Sequence, residues 1–211
     1  MSDTRPERAY LDDPTTVWRD GIKPDYSVVD RKYMAERSTN HKPGSLERIV
    51  ENLVKTWESE SAHKLREEDW KSVDKENFYI SANGGHKYSL KENMKLGNYN
   101  MFLDECPLYN AAEETHESSH KLFRETFKSG YPWEVLQVFS GPPVVSFTWR
   151  HWGTFEGDYK GTKATGETIE MFGSCVARVT EDLKIQSIDV YYDPNGTLMK
   201  LTKGSKCPFK H

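Results

Sequence analysis

The chain has 211 residues, enough for one domain with a proper core and added segments, and its 33 Asp plus Glu against 29 Lys plus Arg leave a net charge of −4. That balance argues against general binding to nucleic acid or an anionic membrane, and no apolar run is long enough to span a bilayer. Three cysteines, Cys106, Cys175 and Cys207, stand at no paired spacing, so neither a disulfide framework nor a cysteine metal site is indicated; with no apolar leader in Met1–Arg8, the reading is a soluble, cytoplasmic protein.

Residues 1–44 are polar, proline-containing and non-periodic, and read as an N-terminal arm docked through Trp18, Tyr26, Val28, Val29 and Tyr33. A short helix is expected within Tyr26–Arg37 and disorder over the first dozen residues. The domain proper is placed at 45–203. Ser45 opens a helix to about His63, with Leu46, Ile49, Val50, Leu53, Val54 and Trp57 on one face. Residues 64–112 read as an insertion. It holds a short strand at Asn77–Ala82, the turn Asn83-Gly84-Gly85, a helix at Ser89–Leu96 and a loop at Asn98–Asn110. A helix from about Glu113 to Lys128 puts His116, His120, Phe123 and Phe127 on one face. Four strands follow: Trp133–Phe139, Val144–Gly153, Glu167–Val179 and Lys184–Asp193. Each is rich in β-branched and aromatic residues and bounded by Gly, Pro or Asp, the pattern of an antiparallel meander. Leu198 and Leu201 form a small apolar lid, and 204–211 is a basic tail.

Several side chains invite chemistry, each beside a plainer role. His116-Glu117-Ser118-Ser119-His120 has the H-E-x-x-H spacing that can hold zinc on one helical turn. No third ligand follows at a fixed spacing, so His120 reads better as a pocket histidine and His116 as its neighbour. Strand alternation groups Phe147, Trp149 and His151 on one face, where His151 is a pocket base or donor, or else a core histidine satisfied by backbone. Alternation also places Tyr191 with Asp193, either to polarise a carbonyl or as packing. Trp57 and Trp149 read as pocket wall or core. Asp193-Pro194-Asn195-Gly196 is a turn sequence that Asp193 can simply cap.

Residues 133–201 resemble the SnoaL-like polyketide cyclases of the nuclear transport factor 2-like superfamily. The likeness rests on Gly153-Thr154-Phe155-Glu156-Gly157, Thr165-Gly166-Glu167, Leu183-Lys184-Ile185 and Tyr191-Tyr192-Asp193. Phe155 stands where that family usually has histidine, so the role of that side chain does not carry over. Over most of its length the chain resembles the plant and fungal pathogen-related proteins, through Leu53–Glu58, Glu117–Lys121, Glu134–Val138 with Ser140–Pro143, and Arg150–Gly153. The resemblance implies an α+β cone: a curved antiparallel sheet packed on helices around an apolar pocket. It implies a pocket for a small hydrophobic metabolite, used without metal or organic cofactor. As an enzyme, the protein would be a lyase, isomerase or cyclase with Asp193 as acid/base and His120, His151 and Tyr191 as partners. Trp57, His116, Phe123, Phe127, Phe147 and Trp149 would hold the ligand. The alternatives are a non-catalytic stress or defence binding protein and a homodimer joined through the sheet, with Arg150 and Trp152 in the interface.

Overall fold

The structure, a computed structural model, describes residues 5–202 apart from 105 and 107. The tail at 204–211, Cys207 and the first four residues of the expected disordered dozen lie outside the described residues. Residues that follow them are docked: the Glu7 amide donates to Asn52, Arg8 pairs with Asp30 at 2.9 Å and the Ala9 amide donates to Thr56. The expectation of disorder is therefore corrected for residues 5–12.

Helix α1 spans Ser27–Glu36 and α2 spans Leu46–His63. Ser45 caps α2 by accepting from the Arg48 amide. Leu46, Val50, Val54 and Ala62 recur at four-residue spacing along α2, so one stripe faces the sheet. The opposite side of α2 is also buried, because the arm returns over it: Tyr33 donates to Glu51 at 2.8 Å, and Glu51 holds Arg48 at 2.9 Å.

Strands β3 (Trp133–Ser140), β4 (Val144–Thr154), β5 (Thr168–Val179) and β6 (Ile185–Tyr192) form the expected antiparallel meander. The region read as an insertion is part of the same sheet. Strand β1 (Tyr79–Ala82) pairs parallel with β6, and β2 (Tyr88–Ser89) pairs antiparallel with β1, giving the order β2-β1-β6-β5-β4-β3. Four residues carry too little periodicity to announce a sheet partner so far along the chain. Helix α3 (Leu90–Leu96) has the capping box of Ser89 with Glu92. The segment read as a loop at Asn98–Asn110 contains a helix, α4 (Asn98–Phe102), started by Gly97 at φ 80°. Helix α5 spans His116–Thr126 and α6 spans Pro194–Leu201.

The inward face of the meander carries Val145, Phe147, Trp149, Cys175, Ala177, Ile188 and Val190, all buried, and packs toward α2. Each fully buried apolar side chain of this size stabilises the fold by about 1.5–3 kcal/mol. A second cluster around Phe123, Phe127, Phe155, Leu198 and Leu201 fastens α5 and α6 to the end of the sheet. On the outward face the arm occupies part of the sheet. Trp152 is fully buried and donates to Glu36, while Arg150 pairs with Glu134 at 3.0 Å and Glu170 at 2.7 Å. These two expected interface residues are thus tied to the arm and to neighbouring strands.

Candidate functional site

A cavity of about 210 Å³ opens between α2, α4, α5 and the inward face of β3–β6. Its walls are mostly apolar: Val50, Leu53 and Val54 from α2, Trp133, Phe147 and Trp149 from the meander, and Leu198 from α6. Of the residues expected to hold a ligand, Trp57, Phe123, Phe147 and Trp149 lie on its wall. Phe127 is buried behind the wall, stacked on Tyr131 with centroids 4.1 Å apart, and does not line it.

The polar groups of the wall are few, and the sequence singled out only some of them. His120 and His151 both line the cavity. His120 donates from Nδ1 to the His116 carbonyl at 2.7 Å, and His151 from Nδ1 to the Pro132 carbonyl at 3.0 Å. Desolvation pushes both imidazoles down to about 3; the neighbouring His116 adds to the effect at His120, partly offset by its backbone hydrogen bond. Both rings are therefore neutral at physiological pH. Tyr131 stacks on His151 with centroids 3.6 Å apart, and Tyr99 meets His120 edge-on at 5.1 Å. Burial raises the phenols of Tyr99 and Tyr131 above the ordinary tyrosine range. Glu58, half-buried on α2, is the one carboxylate lining the cavity among the described residues. Sequence reasoning passed over Glu58, Tyr99 and Tyr131. The signal for Glu58 was its place in the Val50, Val54, Ala62 stripe.

Three expectations are corrected. Asp193 does not stand at the pocket wall. Strand β6 ends at Tyr192, and Asp193 is the exposed N-cap of α6, its carboxylate accepting from the Asn195 amide at 2.9 Å. The turn chemistry of Asp-Pro-Asn-Gly decides its position. Tyr191 points outward and is 47% exposed, whereas Tyr192 lines the cavity and donates to the Phe102 carbonyl. Val190 and Tyr192 share the inward face by strand alternation, and the chain leaves the strand before Asp193 can be counted with Tyr191. His116 is 2% exposed, stacks on His120 at 4.3 Å and donates from Nε2 to the Ser61 carbonyl, so it lies behind the wall.

The H-E-x-x-H residues are held by their neighbours. His116 and His120 each commit a ring nitrogen to a backbone carbonyl, and Glu117 pairs with Arg19 at 3.0 Å. Among the described residues no group of three His, Cys, Asp or Glu is arranged to hold a metal ion.

One unclosed, curved six-stranded sheet packed on helices, with an apolar cavity between them, defines a mixed α+β fold with a pocket. No protein-family profile matches the chain. A curated relative, the pathogen-related protein of Hordeum vulgare, is 40% identical over 185 residues, 84% of this chain and 79% of that protein. The chain belongs to the pathogen-related protein family. Solved structures similar to it include a protein from Acidithiobacillus ferrooxidans assigned as a polyketide cyclase, at 14% identity over 78% of this chain and 100% of that one, TM-score 0.43. Another, from a Jannaschia species and assigned as a SnoaL-like polyketide cyclase, shows 11% identity over 79% and 99%, TM-score 0.42. At these values they carry no inference about what this chain does.

Proposed function

We propose that this protein binds a small hydrophobic molecule in the cavity and holds it without chemical change. The observation that carries the reading is the wall itself: apolar on most sides, with a few polar side chains and without Asp193. A general base works best with a pKa near the working pH. Imidazoles held near 3 are poor bases at neutral pH, although they remain good hydrogen-bond partners. The cavity is smaller than the roughly 300–1,000 Å³ of drug-sized pockets, which suits a compact ligand of one or two rings.

Native mass spectrometry of the purified protein, followed by a denaturing run, tests this reading. A hydrophobic metabolite recovered intact supports it. An empty protein whose melting temperature no hydrophobic metabolite raises would overturn it.

A second reading is cofactor-free acid/base catalysis on a carbonyl-bearing metabolite, as a lyase, isomerase or cyclase. Glu58 favours it, being a half-buried carboxylate at the cavity. Turnover of a bound metabolite, abolished in Glu58→Gln but kept in Asp193→Asn, would establish that reading over simple binding. As a homodimer, two copies would meet through the outward face at Phe172, Val176 and Tyr191, all exposed; a monomeric mass by light scattering would rule this out.

A further inference from the structure

His120 and His151 reach the cavity from different elements, α5 and β4, yet they present the same chemical face. Each directs Nδ1 at a backbone carbonyl, of His116 and of Pro132. A carbonyl oxygen can only accept, so Nδ1 carries the proton on both rings. A neutral imidazole has one N–H, which leaves Nε2 of each ring as a bare acceptor. Neither Nε2 has a hydrogen-bond partner among the described residues, and neither belongs to the sealed, partnerless atoms of the interior, as Nδ1 of His116 does.

The other polar groups of the wall supply both kinds of partner. Glu58 contributes carboxylate acceptors, the donor of Tyr192 is already spent on Phe102, and donors come from the hydroxyls of Tyr99 and Tyr131 and from the Trp133 indole. The two bare imidazole nitrogens stay acceptors whatever these groups do. A ligand that brings only acceptors, such as a ketone or an ether, leaves both imidazole nitrogens unpaired in a desolvated site, which is costly.

We propose that the cavity selects hydrophobic molecules bearing a hydroxyl group over their ethers and unsubstituted parents, the hydroxyl donating to Nε2 of His120 or His151. This rests on the ligand-binding reading above and names the ligand's head group. The burial that keeps both rings neutral also penalises a cationic amine, so a neutral O–H is the donor that fits.

Calorimetry at pH 7 with 2-naphthol, 2-methoxynaphthalene and naphthalene tests the proposal on the wild-type protein. The expected result is 2-naphthol binding about tenfold tighter than its methyl ether, the worth of one neutral hydrogen bond. In His120→Phe or His151→Phe the preference falls to within about twofold. Equal binding of the alcohol and the ether by the wild-type protein overturns hydroxyl selection and leaves the pocket standing. Failure of all three probes to bind overturns the pocket reading, and hydroxyl selection with it. The wild-type comparison decides the matter even if a histidine variant does not fold.

Discussion

The imidazoles of His116 and His120 lie face to face, their centroids 4.3 Å apart and their planes at 10°. Two cations cannot share that stack cheaply, and burial adds to the cost. His116 is held below its usual range by desolvation, and His63 is pushed down to about 4 by the same cause, with Arg124 adding to it. Arg19 and Arg124 oppose protonation here, while Asp20 and Glu117 favour it weakly. The unfolded chain protonates these rings near 6.5. Below that pH the unfolded state binds more protons, so stability falls on acidification. Urea unfolding should show a loss on the order of 1 kcal/mol per buried ring between pH 7 and pH 5.5. That window lies above the carboxylate range, which separates the histidines from acids such as Glu92, held down to about 2 by its hydrogen bonds to Ser89. A flat profile would mean that the rings titrate normally. His120→Phe should reduce the slope.

Asp193 should behave as a cap. Asparagine caps a helix as well as aspartate, so Asp193→Asn is expected to leave stability and ligand affinity unchanged, whereas Asp193→Ala should cost about 1 kcal/mol in denaturant. A large loss of ligand binding in Asp193→Asn, with the fold intact, would return the carboxylate to the site.

The contrast between Asp193 and the meander shows what a sequence can carry. Strand composition and turn residues placed all four long strands, and helical spacing with its Ser45 cap placed α2, because those patterns repeat over eight or more residues. They failed where one residue decides the outcome. The inward positions of β6 are Ile188, Val190 and Tyr192, one residue out of phase with a count that starts from Asp193, so Tyr192 rather than Tyr191 lines the cavity, and Asp193 lies beyond the strand. Glu58 was passed over because a charged residue adds nothing to an apolar stripe read by hydrophobicity, although its position in the Val50, Val54, Ala62 row turns it to the cavity. His120 and His151 could be named from their apolar company, but their tautomers depend on carbonyls that only the folded backbone brings near.

Tyr191→Ala and Tyr192→Phe separate the two tyrosines directly. The first removes an exposed ring on the outward face, and stability should stay within about 0.5 kcal/mol. The second removes a hydroxyl that donates to the Phe102 carbonyl and leaves that acceptor unpaired, a loss of about 1–3 kcal/mol. Thermal denaturation of the pair tests the assignment; the opposite ranking would put Tyr191 inside.

Glu134 is the anchor of the arm. It is fully buried, accepts from the amides and hydroxyls of Ser38 and Thr39, and pairs with Arg150. Removing it takes one of Arg150's two carboxylate partners and leaves the donors of Ser38 and Thr39 without this acceptor, so Glu134→Ala should destabilise the protein by about 1–3 kcal/mol. Limited proteolysis should then cut within 27–44 while the meander stays protected. An arm as resistant as in the wild type would show that the docking of α1 does not depend on this carboxylate.

Gly173 sets the depth of the cavity. It pairs with Trp149 across β4 and β5, and a Cβ there would run into the Trp149 indole and lie 2.6 Å from the Tyr191 carbonyl oxygen. The backbone cannot yield without breaking the β5–β6 register, in which Gly173 faces Tyr192. Both neighbours therefore have to give, the carbonyl by straining the β5–β6 pairing and the indole by shifting in the wall it now forms. Gly173→Ala should cost about 1–3 kcal/mol from overpacking and reduce the affinity of any ligand that fills the cavity, with weaker binding of larger ligands first. The change is read by calorimetry against a graded series of aromatic hydrocarbons. Unaltered affinity across that series would place the ligand elsewhere than beside Trp149.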